Sequence, residues 1–127
     1  MKKVLIADDK ATSRELIRTV LETLGYEITE ASDGIEALRF ARQVGPDLIV
    51  LDLHMPGIDG FGVITELRQD QRFSATPIMA LTASAMKGDR DRALAAGFDS
   101  YVSKPIPLPE LRAEVERLLA RGEELTR

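Results

Sequence analysis

Five polar side chains that could bind a metal ion and a phosphoryl group stand at or just after the ends of short apolar runs. They are Asp8, Asp9, Asp52, Thr82 and Lys104. The apolar runs are Val4–Ala7, Leu48–Leu51, Ile78–Leu81 and Tyr101–Val102. If these runs are neighbouring parallel strands, their carboxyl ends meet at one edge of a sheet, where open α/β sheets bind ligands. Carboxylates suit Mg²⁺, and a hydroxyl and an ammonium suit phosphoryl oxygens.

The composition is that of one ordinary globular domain. The chain has 127 residues, of which 44% are hydrophobic and 30% charged, with a net charge of −4 and no cysteine. The negative charge argues against direct binding to nucleic acid, and the lack of cysteine excludes disulfides and thiolate metal sites. No signal peptide and no membrane-spanning stretch is recognisable, so we expect a cytoplasmic protein without a membrane partner. A piece cut from a longer protein would look the same.

The chain alternates strand and helix five times. Three continuous apolar runs, at 4–7, 48–51 and 78–81, are typical of strands covered on both faces. Glu27–Ala31 and Ser100–Ser103 alternate polar and apolar residues, which indicates edge strands. The alternation of strand and helix favours an α/β fold with a five-stranded parallel sheet, and right-handed crossovers with these two strands at the edges suit the order 2-1-3-4-5. The expected architecture is flavodoxin-like and doubly wound, (βα)5, in strand order 2-1-3-4-5 with helices on both faces.

Five helices are predicted, over about 12–24, 34–43, 61–69, 87–96 and 108–121. Apolar residues at helical spacing predict their buried faces, which include Leu16 in the first helix and Ile35 in the second. Thr12 and Glu15 have the spacing of a capping box. Gly88 lowers the stability of the fourth helix by about 1 kcal/mol relative to alanine, which predicts a loosely held helix.

Each candidate residue alone has an ordinary structural explanation. Asp8 or Asp9 could cap a helix, and Asp52 could open a turn before a Pro-Gly loop. Thr82 could be a common strand residue, and Lys104 a solvated surface lysine. Together they make chemical sense, because three clustered carboxylates repel one another and require a neighbouring cation.

The segment Asp52–Gly60, DLHMPGIDG, resembles the phosphoacceptor loop of bacterial response-regulator receiver (CheY-like) domains, an Asp followed by x-x-Met-Pro-x-x-Asp-Gly. The acid pair, Arg14, Thr82-Ala83 and Lys104-Pro105 also fall where that family has them, so the resemblance covers essentially the whole chain. It implies a receiver (response regulatory) domain over residues 1–122 and a short C-terminal tail over 123–127. It also implies two-component signal transduction by a phosphorelay. A sensor histidine kinase or histidine phosphotransfer protein would convert Asp52 to an aspartyl phosphate, and the phosphoprotein would switch its surface for a downstream protein target.

The resemblance also implies a magnesium site, at which Mn²⁺ could replace Mg²⁺. Asp9 and Asp52 would bind the ion directly, together with the backbone carbonyl of His54, and Asp8 would act partly through a water. His54 and Ser84 occupy positions that, in the family, border the path of the hydrolytic water and tune the lifetime of the phosphoryl group. We therefore expect a gating or surface role for His54, the single histidine of the chain.

The remaining implied roles concern the phosphoryl group and the switch. The Thr82 hydroxyl, the Ala83 backbone N–H and the Lys104 ammonium would bind phosphoryl oxygens. Tyr101 would be a switch aromatic that moves inward when Thr82 shifts toward the phosphoryl group. The Lys104–Pro105 peptide bond would be cis, although X-Pro bonds are usually trans.

Other functions stay open. Residues 85–89, with Gly97 and Ser103–Ile106, resemble single-domain regulators of the DivK type, but receivers cut from hybrid kinases have similar stretches. A degenerate receiver acting as a protein-binding scaffold would be expected to lack Asp9, Asp52 or Lys104.

Two enzyme or cofactor classes fit less well. A Mg²⁺-dependent phosphohydrolase with an aspartyl intermediate usually needs a second Asp where this chain has His54. A flavodoxin-like cofactor binder needs a phosphate-cradling loop where this chain has Asp8-Asp9-Lys10. We therefore expect no enzyme activity beyond Mg²⁺-dependent self-catalysed phosphotransfer and slow autodephosphorylation.

Overall fold

The computed structural model describes residues 1–83 and 89–125, with side chains described as far as Arg121. These residues form five strands, five α-helices and a short 3₁₀ helix at Gln71–Phe73. The strands are β1 (Lys3–Ala7), β2 (Glu27–Ala31), β3 (Leu48–Asp52), β4 (Ile78–Thr82) and β5 (Ser100–Ser103). The α-helices are α1 (Ala11–Thr23), α2 (Gly34–Val44), α3 (Gly60–Arg68), α4 (Asp89–Ala96) and α5 (Leu108–Leu125).

The strands form one parallel sheet in the order β2-β1-β3-β4-β5, which confirms the predicted topology. Every residue of β3 and β4 is buried, as their continuous apolar sequences predicted. The two alternating segments, β2 and β5, are the edge strands. The order of the strands reverses between β1 and β3, and this is the position at which a doubly wound sheet opens a crevice.

Helices cover both faces of the sheet and produce two apolar cores. On one face, Ile17 of α1 and Leu111 of α5 share a core with Val50 of the central strand. On the other face, α2, α3 and α4 contribute to a core in which Ile64 lies with Leu51. Because successive side chains of a strand point to opposite faces, each central strand contributes to both cores and is held from both sides.

The helix α1 starts one residue before its predicted start, and the predicted capping box was wrong. The helix begins at Ala11, and its N-cap residue, Lys10, forms no side-chain capping bond. Thr12 therefore lies inside the first turn and does not form the predicted capping box with Glu15. Instead, the Asp8 carboxylate accepts a hydrogen bond of 2.9 Å from the Lys10 backbone N–H. Asp8, one of the three candidate metal ligands, therefore also stabilises the turn that leads into α1.

Two apolar residues that were predicted to be buried lie at the surface. Leu16 of α1 is 43% exposed and Ile35 of α2 is 65% exposed. Each is next in sequence to a residue on the true buried face, Ile17 and Gly34 respectively. Neighbouring residues of a helix are rotated by about 100° around its axis, so an apolar residue beside the buried stripe can face outward. The helical pattern was correct, but the stripe was narrower than predicted.

Some predictions lie outside the described residues. Residues 84–88 include Ser84 and Gly88, so the structure does not address the predicted lifetime role of Ser84 or the weak first turn of the fourth helix. At the other end, α5 continues to Leu125, past residue 122 where the domain was predicted to end. Among the described helices, none combines the length and the apolar character that a membrane span requires.

Candidate functional site

Three carboxylates converge at the carboxyl ends of β1 and β3, at the reversal of strand order. Asp8 directly follows β1, and Asp52 is the last residue of β3, which pairs with β1. Asp8 is completely buried and Asp52 is 4% exposed, whereas Asp9 is exposed. Asp8, Asp9 and Asp52 can each offer an oxygen such that the three lie within 4.8 Å of one another. The fold therefore brings together the acids that the sequence places in two distant segments.

Lys104 supplies the positive charge beside this acid cluster. Its Nζ donates to Oδ2 of Asp8 at 2.7 Å and to Oδ2 of Asp52 at 3.2 Å. Lys104 directly follows β5, and its backbone N–H donates to the carbonyl of Thr82 at the end of β4, at 2.6 Å. This bond helps to fix the position of Lys104 beside the acids. The Lys104–Pro105 peptide bond is cis, the isomer that the resemblance implied.

Burial and charge act together on the titration of the cluster. Burial raises the pKa of the Asp52 carboxyl, and the charge of Asp8 raises it further, although the His54 N–H and Lys104 oppose both effects. Burial lowers the pKa of Lys104, but its hydrogen bond to Asp8 and the two aspartate charges outweigh burial, so the pKa lies above its usual value. The site thus holds a protonated lysine against buried carboxylates whose negative charge is only partly balanced.

Hydrogen bonds to Asp52 and Asp59, and the small size of Gly60, determine the conformation of the loop between β3 and α3. The His54 backbone N–H donates to Oδ1 of Asp52 at 3.0 Å, and Asp59 caps α3 by accepting from the Gly62 N–H at 2.9 Å. At Gly60, a Cβ atom would lie 2.6 Å from the carbonyl oxygen of Asp52. Only glycine allows α3 to begin this close to the Asp52 backbone. Asp59 and Gly60 therefore have a local structural role, because together they allow α3 to start directly against the site.

The predicted phosphoryl and switch residues lie on β4 and β5. Thr82 is buried at the end of β4 and is the register partner of Ser103, which precedes Lys104. Ala83 follows Thr82 and is exposed at the same sheet edge. Tyr101 pairs with Ala80 and packs, partly buried, against the core on the α4 side of the sheet. Tyr101 and Lys104 both line a surface cavity of about 640 Å³ bordered by α4 and α5.

Two contacts near the site have no local signal in the sequence. Arg14 of α1 donates from Nη1 to the carbonyl of Asp8 at 2.7 Å and from Nε to Glu30 at 3.2 Å, which ties α1 to the end of β1. The resemblance placed Arg14 near the acid pair but gave it no role. Asp89, at the start of α4, lies 3.7 Å from Nε2 of the exposed His54. No spacing links these two residues, because only the packing of the helices brings α4 to the loop.

The donor set fits a divalent ion such as Mg²⁺. All three side chains offer hard oxygen ligands, which Mg²⁺ prefers. One of the acids is completely buried, and a single lysine contacts two of the three. A buried cluster with this surplus of negative charge is stabilised by a further cation. The residues present could therefore hold such an ion, with Asp9 on the solvent side.

The fold and site define a doubly wound α/β domain with an acid cluster and a lysine at its topological switch point. Residues 4–116 match the model of the response regulator receiver domain. The chain therefore belongs to the response regulator receiver domain family, whose members act in two-component signalling.

The curated proteins that are similar to this chain differ in length. The polar-differentiation response regulator DivK of Brucella ovis is 37% identical over 118 residues, which are 93% of this chain and 96% of DivK. The DNA-binding dual master transcriptional regulator RpaA of Synechocystis is 38% identical over 125 residues, which are 98% of this chain and 52% of RpaA. The chain spans about half the length of RpaA and 46% of the probable transcriptional regulator ycf27 from Guillardia theta, to which it is 44% identical.

A solved structure with a metal ion is also similar. The receiver domain of the sensor histidine kinase PA1611 from Pseudomonas aeruginosa has a magnesium ion coordinated in its active-site cleft. It superposes with a TM-score of 0.86 and 34% identity, covering 94% of this chain and 98% of that one.

Proposed function

We propose that this domain is a phosphorylation switch in which Asp52 accepts a phosphoryl group from a sensor histidine kinase or a histidine phosphotransfer protein. The observation that carries the proposal is the convergence of three carboxylates within 4.8 Å of one another, beside the Nζ atom of Lys104. A carboxylate at such a site can serve as a nucleophile toward phosphorus. The proposal therefore assigns chemistry to a geometry that an ordinary helix cap or surface lysine does not need.

Within this proposal, the acid cluster holds Mg²⁺. Asp9 and Asp52 bind the ion directly with the backbone carbonyl of His54, and Asp8 acts partly through water. When bound, the ion neutralises charge on the transferring phosphoryl oxygens. Mn²⁺ has the same preference for oxygen ligands and could replace Mg²⁺. Asp8 also keeps Lys104 in place, since it accepts the shorter of the two hydrogen bonds from Nζ.

The transfer step is an in-line exchange at phosphorus. A carboxylate oxygen of Asp52 attacks, the P–N bond to the donor imidazole breaks, and the electron pair returns to the imidazole nitrogen. The Lys104 ammonium, the Thr82 hydroxyl and the Ala83 N–H bind the phosphoryl oxygens, whose charge must be matched by positioned donors. The domain catalyses its own phosphorylation and slow dephosphorylation, tuned by His54, and turns over no other substrate.

The output of the switch is a shift in population between two conformations that exist before phosphorylation and differ in their surface. Ligands shift such an equilibrium only through contacts that differ between the states. Here the differing contact is Thr82 with the phosphoryl group, and Tyr101 moves inward as Thr82 shifts. The partner that reads this change is a downstream protein in the cytoplasm, and DNA is not bound by the domain itself. The DNA binding named for RpaA is a property of that longer protein.

Intact-mass spectrometry tests the proposal most directly. The domain is incubated with Mg²⁺ and acetyl phosphate, and wild type is compared with Asp52→Asn. We expect one labile adduct with the mass of HPO₃ on wild type and none on the variant, which should still fold. An adduct of equal yield on the variant would show that a residue other than Asp52 accepts the phosphoryl group.

A second donor separates the remaining functions. If acetyl phosphate gives no adduct on either protein, a set of phosphorylated histidine phosphotransfer proteins is tried in the same assay. Transfer from one of them would identify a receiver that accepts only its own partner, whether free or part of a hybrid kinase. Failure with all of them would favour the degenerate scaffold.

A further inference from the structure

On the opposite side of the sheet from α1 and α5, one side of α2 exposes the large aliphatic side chain of Ile35, while Leu38 on the same side is only 8% exposed. Ile35, Leu38, Arg39 and Arg42 follow one another at i, i+3, i+4 and i+7, and residues at these spacings share one side of a helix. Ile35 is 65% exposed, the highest value for any large aliphatic residue in the described part of the chain after the terminal Met1. Ile58, on the loop after β3, lies beside these residues of α2.

These residues form a groove with a volume of about 440 Å³. Its lining consists of three aliphatic side chains and three polar ones, namely Ile35, Leu38, Ile58, Arg39, Arg42 and Gln43. The position of Ile58 relative to α2 is fixed, because α2 packs directly against the loop. A Cβ atom at Gly34 would overlap the carbonyl oxygen of Ile58 and lie 2.9 Å from the Ile58 Cβ, so the two backbones touch. The spacing between α2 and Ile58 is therefore set by main-chain packing.

The rim of the groove is basic, although the whole chain carries a net charge of −4. The Arg39 guanidinium is 4.0 Å from Glu36, and the Arg42 guanidinium is 3.9 Å from Glu66, so both contacts are at the outer limit of an ion pair. The Glu36 carboxylate is held more closely by Ser32, at 2.6 and 2.7 Å. Each guanidinium has five N–H donors, so both cations keep donors for an incoming carboxylate.

We propose that this α2 groove is a docking site for a protein segment that carries a large aliphatic side chain flanked by carboxylates. The aliphatic side chain would fill the space between Ile35 and Ile58, and the carboxylates would pair with Arg39 and Arg42. An amphipathic helix in a shallow groove is a common form of such recognition. The site is separate from the acid cluster, so it does not rest on the proposed phosphorylation. It differs also from the cavity that Tyr101 and Lys104 line.

The test uses a designed peptide as the probe. A fluorescein-labelled helical peptide carries leucines at i and i+4 with glutamates beside them, and fluorescence anisotropy measures its binding to the unphosphorylated full chain. Two matched peptides replace the glutamates by lysine or the leucines by alanine. We expect binding of the acidic leucine peptide below about 1 mM and at least about tenfold weaker binding of both controls. No binding of the acidic peptide at about 1 mM would overturn the proposal.

Protein variants locate the peptide. Ile35→Ser and the double variant Arg39→Glu, Arg42→Glu should each weaken binding at least about tenfold, because each removes one half of the recognition. Leu94→Ser is the matched control on α4, where Leu94 is 45% exposed, and should leave binding unchanged. Both aliphatic positions are exposed, so the variants should remain folded, and circular dichroism checks this.

Three results would contradict the docking site. Unchanged binding to Ile35→Ser would place the peptide elsewhere, and loss of binding in Leu94→Ser would place it at α4. Sedimentation of the wild-type chain alone would show a dimer if a second copy covers the groove. A dimer that Ile35→Ser dissociates would replace the acidic segment by self-association as the function of this surface.

Discussion

Replacing Lys104 by methionine should make the domain less stable but make it bind Mg²⁺ more tightly. Lys104 contacts Asp8 at 2.7 Å and Asp52 at 3.2 Å and is itself largely buried. Methionine keeps most of the apolar stem of the side chain but removes the ammonium group and its charge. The two carboxylates then face each other without the cation that separates them in the structure.

The size of the effect follows from the geometry. The oxygens that the three acids can offer lie within 4.8 Å of one another. Two unit charges at about 4.8 Å repel by about 3 kcal/mol at an effective dielectric constant of about 20. Removal of one partner from a buried ion pair typically destabilises a protein by about 3–5 kcal/mol. Protonation of Asp52, whose pKa burial already raises, limits the loss. We expect a decrease of about 3 kcal/mol in the free energy of unfolding without metal.

The same charge argument predicts the direction of the change in Mg²⁺ affinity. Lys104 and Mg²⁺ both neutralise the cluster, so removing the lysine leaves more negative charge for the ion to bind. If about half of the lost ~3 kcal/mol returns on metal binding, the affinity rises about tenfold, since a factor of ten is about 1.4 kcal/mol. Urea unfolding with EDTA and with millimolar Mg²⁺ measures the stability, and calorimetric titration measures the affinity.

Two controls test this reasoning. Lys104→Arg retains the charge and should change the Mg²⁺ affinity by much less than Lys104→Met. The double variant Asp8→Asn, Lys104→Met removes the buried acid as well and should recover part of the stability lost by Lys104→Met alone. An unchanged or weaker Mg²⁺ affinity of Lys104→Met would refute the view that the lysine and the ion balance the same carboxylates.

Three further changes test the surrounding fold. Gly34→Ala should destabilise by at least about 2 kcal/mol, measured by urea unfolding, because its Cβ would overlap the Ile58 carbonyl oxygen. Arg68→Met should lower the unfolding temperature and cost about 3 kcal/mol, because Arg68 donates four hydrogen bonds, three of them to backbone carbonyls. Glu114→Gln should destabilise by about 1 kcal/mol at neutral pH. The Arg117 guanidinium, with a smaller contribution from Ser100, lowers the pKa of Glu114, so this stability is present above the unfolded pKa and is lost as the pH falls through the folded pKa.

Matched variants decide each of these outcomes. Gly25 has a positive φ but nothing within 4 Å of an added Cβ, so Gly25→Ala reports backbone strain without a clash. Arg112→Met removes an exposed pair with Glu116 and should change stability by less than about 1 kcal/mol. If it matched Arg68→Met, the bonds of Arg68 would not be the cause. A stability difference for Glu114→Gln that stayed constant from neutral to acid pH would contradict the linkage argument.

Local sequence signals were sufficient for the order of the elements and for the site. Continuous apolar runs identified β3 and β4 as buried strands, because a strand covered on both faces has no polar side. Alternation identified the edge strands β2 and β5. The residues with site chemistry stood at strand ends, so the strand order placed Asp8 and Asp52 on adjacent strands and Lys104 at the same edge of the sheet, two strands from Asp52. Periodicity failed at Leu16 and Ile35, because it cannot tell how wide a buried helical face is.

The fold class, the strand order and the set of groups that meet at the sheet edge were predictable from the sequence, since these depend on apolar period and on which residues follow the strands. The distribution of charge among those groups depends instead on the packing of the folded chain. Asp8 is buried while its neighbour Asp9 is exposed, and Lys104 reaches two acids at once. The contact of His54 with Asp89 and the exposed groove at Ile35 were likewise decided by packing. Burial and distance between residues far apart in the chain arise when helices dock on the sheet, and no local pattern records them.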